Sequence, residues 1–209
     1  MLNVEWKSVH TYIWRFAFYI LHFHMKELKW KLLKSEYLFK ESWMRVRRDT
    51  CQRPDGHIIF PYYVYEFPTW VTVAAISEDN KIVLVRQYRH ALGEICIETP
   101  GGCVDDTDMN LEAAAAREML EETGYVFTSY EYMGKISANP STNNNLMHMF
   151  IAKGGKKIKE QELDLNEEIE VLCYSFDEVK QLLKENKIMQ SMHAACLFYA
   201  LNRLGQMSY

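Results

Sequence analysis

The sequence predicts an α/β (α+β) fold in which a mixed central sheet lies between helices and an antiparallel strand arm stands at its N-terminal side. Three observations carry that expectation. Apolar strand patterns occur both before and after an alanine-rich helix, two further helical patterns close the chain, and two early strand patterns are joined by the turn "RPDG". At 209 residues the chain fits one domain with something appended.

The appended part is read as residues 1–42. The stretch "VHTYIWRFAFYILHFHM" at 9–25 is aromatic-rich, yet Arg15 and the histidines interrupt it. Its apolar core is short of the roughly 20 residues a membrane span needs. It also lacks the small-residue cleavage site of a signal peptide. We expect Met25 to be the true initiator and residues 1–24 to be a start-site artefact, the alternative being an amphipathic helix for a partner or a membrane surface.

From Trp43 the domain proper, 43–209, begins with "WMRVRRDTC", the Pro-Asp-Gly turn and "HIIFPYYVYEF", a hairpin arm. "WVTVAAIS" and "KIVLVRQYR" follow as central strands, and "EICIETPGG" is a strand that runs into a glycine turn. The run from Asn110 to Gly124 predicts a helix: Asn110 is an N-cap candidate, alanines and leucines fill the interior, and Gly124 suits a left-handed stop. "YEYMGKIS", "LMHMFIAKG" and "IEVLCYSF" return to strand, and apolar periodicity predicts helices over 177–186 and 190–204.

Composition narrows the function classes. Hydrophobic residues at 48% and charged residues at 25% are ordinary globular values, and a net charge of −4 offers no footprint for nucleic acid. The five cysteines, Cys51, Cys96, Cys103, Cys173 and Cys196, are scattered and form no CxxC. Neither a disulfide framework nor a zinc site is indicated, so a cytoplasmic setting is expected.

The helix holds the chemistry. Glu118 shares a face with Glu121 and Glu122, and each such like-charge pair costs about 0.2–0.5 kcal/mol. Carboxylates in the C-terminal half of a helix also oppose its dipole. A solvated acidic face is the plain alternative, but this placement calls for a cation, and hard oxygen ligands suit Mg²⁺ or Mn²⁺. Arg117 can pair with Glu121 one turn on and hold its rotamer.

The glycines at 101–102 followed by "REMLEETGY" at 117–125 resemble the signature of the Nudix hydrolases, whose second half reads R-E-hydrophobic-x-E-E-x-G-hydrophobic. "VRQYRH", "ETPGG", "SANPSTNNN" and "NEEIEV" fall in the order of the ADP-ribose pyrophosphatase branch, so the resemblance covers residues 43–204. It implies a Nudix-type α/β/α sandwich and divalent-metal-dependent hydrolysis of a nucleoside diphosphate linked to another moiety. One departure stands out. The pattern's glutamate and glycine positions ahead of Arg117 are occupied by Met109 and Cys103, while counting forward from the glycine turn puts Asp108 where the glutamate belongs, as if the loop "CVDDTDM" carried one extra residue.

Carried onto this chain, the resemblance implies Glu118 and Glu122 as metal ligands, Glu121 as a further ligand or catalytic carboxylate, and Gly101 as a carbonyl donor, with Arg117 orienting them. A general base must come from elsewhere, and "DLNEEIEV" offers Asp164, Glu167 and Glu168; Glu168 is favoured, then Glu167. Arg89 is expected to grip phosphates with its fork, Glu98 to meet a metal water or a ribose, and Trp43 to stack on adenine, each having the plain alternative of an ion pair or a core side chain. Pro140, fifteen residues beyond Tyr125, fits the ADP-ribose branch. The products would be AMP and ribose 5-phosphate. Residues 154–168 are expected to form a flexible segment that closes over substrate. The alternative reading is a non-catalytic Nudix module that senses nucleotides or binds protein. Relatives of this branch exchange N-terminal strands, which implies a homodimer with Phe60, Tyr62, Tyr63 and Tyr65 in its interface.

Overall fold

The computed structural model describes residues 27–207, so the expectations for residues 1–24 lie outside the described residues. The chain divides into two compact units, the smaller comprising 27–37 and 48–63 of the described residues, the larger 38–47 and 64–207. Strands β1 (Lys31–Lys40), β2 (Arg45–Gln52) and β3 (Ile58–Glu66) form an antiparallel sheet in that order. Sequence reading placed no strand before Trp43. "KLLKSEYLFK" lacks a clean two-residue alternation, and β1 is set by pairing with β2 instead of by its own pattern. In the smaller unit Arg48 pairs with Glu36 at 2.9 Å and lies 5.5 Å from the Phe60 ring centroid, while Trp30 meets Tyr62 edge-on at 5.8 Å.

The larger unit holds a 7-stranded mixed sheet. Its strands are β4 (Trp70–Ser77), β5 (Ile82–Arg89), β6 (Glu94–Glu98), β7 (Tyr125–Val126), β8 (Ser129–Ile136), β9 (Met147–Lys157) and β10 (Ile169–Tyr174). β4 runs parallel to β9 and antiparallel to β5, which makes the sheet mixed. The helices are α1 (Leu111–Thr123), α2 (Phe176–Lys184) and α3 (Ser191–Arg203). All three match expectation within the usual blur of element ends. The Asn110 side chain accepts from the Ala113 amide at 2.9 Å, and Gly124 stops α1 in the left-handed region at φ 75°.

Strand alternation explains the layers. Ala74, Ile76, Leu84, Met149 and Ile151 point to one face and pack on Val179, Leu197 and Leu201 of α2 and α3. Val71, Val73, Ala75, Val83 and Phe150 point to the other and pack on Ala114, Ala115 and Met119 of α1. Each residue flips sides with its neighbour. Helices cover both faces, as the sandwich requires, and central strands buried on both sides read as nearly unbroken apolar runs. Among the described residues no helix is long and apolar enough to cross a membrane.

Candidate active site

The site forms where β6 leaves the sheet and meets α1. The Val71 and Val73 amides donate to the Gly102 and Pro100 carbonyls at 2.9 and 3.0 Å, which lays the turn along β4. Gly101 has φ 147°, and a Cβ there would stand 2.2 Å from the Val71 carbonyl oxygen. Only glycine fits. Its amide donates to Glu122 at 2.8 Å, tying turn to helix.

Arg117 organises the other carboxylates. It donates to Asp108 at 3.1 and 2.9 Å, to Glu118 at 3.0 Å, to Glu121 at 2.9 Å and to the Cys103 carbonyl at 2.8 Å. Those hydrogen bonds hold the Asp108 carboxyl below the usual carboxylate range. Asp108 is thus bonded to Arg117, while Met109 is exposed.

Glu122 and Glu118 are the electrostatically exceptional groups. Burial pushes Glu122 up to about 8, against the Gly101 amide, and the charges of Glu118 and Glu167 add to the rise. Burial likewise pushes Glu118 up to about 7, against Arg117, with Glu121 and Glu167 adding. A carboxylate cluster whose charged state is this unfavourable is matched to a bound cation. Gly102 leaves room for it: a Cβ there would sit 2.6 Å from the Glu118 carboxylate. Among the described residues no three His, Cys, Asp or Glu side chains converge as a finished metal cage, and Arg117 holds both Glu118 and Glu121. The donor set, all hard oxygen, fits Mg²⁺ or Mn²⁺.

These groups line a cleft of about 530 Å³. Trp43, Arg89, Gly101, Arg117, Glu118, Glu121, Glu122 and Glu167 all face it. Glu167 and Glu168 are both exposed, but only Glu167 is among the residues that line the cleft. Within the acidic turn the Glu167 amide donates to the Asp164 carbonyl at 3.0 Å and its carboxylate accepts from the Asp164 amide at 3.1 Å, which fixes that side chain against its own turn. Sequence alone could not tell these adjacent glutamates apart.

Two residues expected to bind substrate are bonded to each other. Glu98 is only 1% exposed and is not among the residues that line the cleft. It accepts from Gln87 at 3.2 Å and from Arg89 through Nε at 3.0 Å and Nη2 at 2.5 Å. The fork of Arg89 is therefore engaged through Nε and Nη2 by a buried carboxylate, which raises the guanidinium's proton affinity further.

Sequence reading missed Trp70 and the start of α3. Gln190, Met192 and His193 line the cleft. His193 shares a 2.6 Å hydrogen bond with Thr99, which shares another with Thr72 at 2.6 Å, and lies 3.9 Å from Glu98. Burial pushes the imidazole down to about 4. These partners come from elements far apart in the chain, so no local pattern announces them. The segment 154–168 is also less free than expected. β9 runs to Lys157, and residues 158–162 are bonded to the end of α1.

Residues 67–196 match the NUDIX domain, and residues 30–65 match the nucleoside diphosphate sugar hydrolase N-terminal domain. A methanol dehydrogenase activator of Bacillus methanolicus is 30% identical over 170 residues, covering 81% of this chain and 91% of that protein. An ADP-ribose pyrophosphatase of Bacillus subtilis (strain 168) is 25% identical over 176 residues, covering 84% and 94%. A crystal structure of an ADP compounds hydrolase superposes with a TM-score of 0.73 at 19% identity, covering 88% of this chain and 100% of that one, a likeness of fold.

Proposed function

The chain belongs to the Nudix hydrolase family, and from that membership we propose that it is an enzyme for ADP-ribose or a related ADP-sugar, yielding AMP and a sugar phosphate. The observation that carries this reading is the pair of glutamates facing the cleft beside the glycine turn, Glu122 buried and Glu118 half-buried. In this reading Glu118, Glu122, Glu121 and the Gly101 carbonyl would hold a divalent cation. Such a cation supplies charge neutralisation at the pyrophosphate and lowers the pKa of water. Arg117 keeps two of those carboxylates in place.

The chain's own groups do the rest. Arg89, braced by Glu98, presents Nη1 to a phosphate oxygen. Trp43, exposed at the cleft, offers a ring face to adenine. Glu167 accepts the proton of the attacking water, with Glu168 its exposed neighbour held as the second candidate. The exposed apolar arm supports a homodimer, and the scattered free cysteines support a cytoplasmic setting.

The test is a product assay over ADP-ribose, ADP-glucose, NADH, coenzyme A and nucleoside triphosphates with Mg²⁺ and with Mn²⁺. AMP and ribose 5-phosphate from ADP-ribose is the expected result. No turnover of any of these with either metal would favour the nucleotide-sensing module over the enzyme.

A further inference from the structure

The last turn of an α-helix leaves carbonyls without partners inside the helix. In α1 they are taken by one short segment. The Glu162 amide donates to the Glu121 carbonyl at 2.9 Å, the Ile158 amide donates to the Gly124 carbonyl at 2.9 Å, and the Gln161 side-chain amide donates to the Glu122 carbonyl at 2.6 Å. Gln161 does more than cap. The same Nε2 also donates to the Ile169 carbonyl at 3.0 Å, on the first residue of β10. One side chain thus closes the base of loop 162–168 and fastens that base to the helix turn that carries Glu121 and Glu122. Glu167 stands on this loop.

We propose that Gln161 is a positioning residue, holding the loop so that Glu167 faces the glutamates of α1 across the cleft. The inference rests on the reading of Glu167 as the base. Its reasoning is geometric: a base must stand within about 3 Å of the water it deprotonates, directly or through one water, and a displacement of about 1 Å can cost about a hundredfold in rate. The backbone bonds from Ile158 and Glu162 are contacts that a plain helix cap would also make. The second bond of Gln161, to the Ile169 carbonyl at the far end of the loop, is what a cap does not need.

The experiment compares kcat and KM for ADP-ribose with Mg²⁺ in the wild type, Gln161→Met, Glu167→Gln and the double variant, with thermal melting of each. Methionine keeps the length and removes both donors. We expect Gln161→Met to lower kcat about ten- to a hundredfold with KM within about twofold, and the double variant to have the kcat of Glu167→Gln alone. A wild-type kcat in Gln161→Met would overturn the inference, as would a loss that multiplies onto that of Glu167→Gln. If Gln161→Met does not fold, Gln161→Asn, which keeps an amide too short to bridge both carbonyls, is read by the same criteria. A wild-type kcat in Glu167→Gln removes the base assignment itself, and the role of Gln161 with it.

Discussion

At Glu122 two demands pull against each other. The side chain is buried at 5% exposure, which disfavours its charge, yet the proposed chemistry needs that charge. A carboxyl whose pKa rises from about 4.3 unfolded to about 8 folded stabilises the fold below the lower value and loses that contribution as pH climbs through the upper one. Glu122→Gln removes the titration and keeps the shape. We therefore expect its melting temperature in chelator at pH 8 to equal or exceed the wild type's, the gap closing toward pH 5, while kcat falls by about a hundredfold or more. Near-wild-type turnover at saturating Mg²⁺ would put the metal elsewhere. His193 has the opposite sign. Its pKa falls from 6.5 to about 4 on folding because burial disfavours the imidazolium, so the unfolded chain binds the proton first. Its contribution is complete above about pH 6.5 and is lost as pH drops toward 4. Denaturant titrations should show His193→Gln with a flatter decline over that interval, by up to about 1.4 kcal/mol per pH unit. Parallel slopes in the two proteins would mean that His193 is charged in the folded state.

The glycine turn between β6 and α1 separates fold from function within two adjacent residues. A Cβ on Gly101 would meet backbone, the Val71 carbonyl oxygen at 2.2 Å, whereas one on Gly102 would meet only the end of the Glu118 side chain at 2.6 Å. Gly101→Ala should destabilise by more than about 1 kcal/mol, since the chain must also leave a conformation that L-residues rarely adopt. Gly102→Ala should melt near the wild type and need more Mg²⁺ for half-maximal activity, because Glu118 is displaced. Melting curves and metal titrations of the pair decide the matter, and equal loss of stability in both would refute the distinction. The same turn marks what sequence could show. The cap, the alanine interior and the terminal glycine made α1 legible, as did the spacing of Arg117, Glu118, Glu121 and Glu122, because all of that information is local. Counting along "CVDDTDM" put Asp108 at the signature's glutamate position, but its pairing with Arg117 was not read from it. The lysine-rich β1 and the two-residue β7 stayed hidden because their pairing partners define them. The buried partners of Glu98, and His193 and Gln161 altogether, were not legible for a related reason: their bonds reach residues distant in sequence, and no local pattern announces them.

At the scale of the whole molecule the unresolved demand is apolar surface. Every residue of β1 is exposed, and Leu32, Leu33, Tyr37, Leu38 and Phe39 each keep between 45% and 51% of their surface. Phe60 at 59% and Tyr63 at 43% add to it on β3. A strand that buries neither face is a poor independent element, and small sheets need a partner layer to be stable. An open edge that is also apolar invites pairing with another chain. A second copy of this chain, joined through a two-fold interface, is the partner proposed for the arm. We expect light scattering at micromolar concentration to report a dimer. Replacing Leu33 and Phe39 together by Asp should shift it to monomer, since a buried unpaired carboxylate opposes association strongly. The pair lies outside the cleft lining, so the variant also asks whether the site is complete in one chain. A wild-type monomer of full activity would refute the dimer outright. A dimer that survives both aspartates would place the interface away from β1.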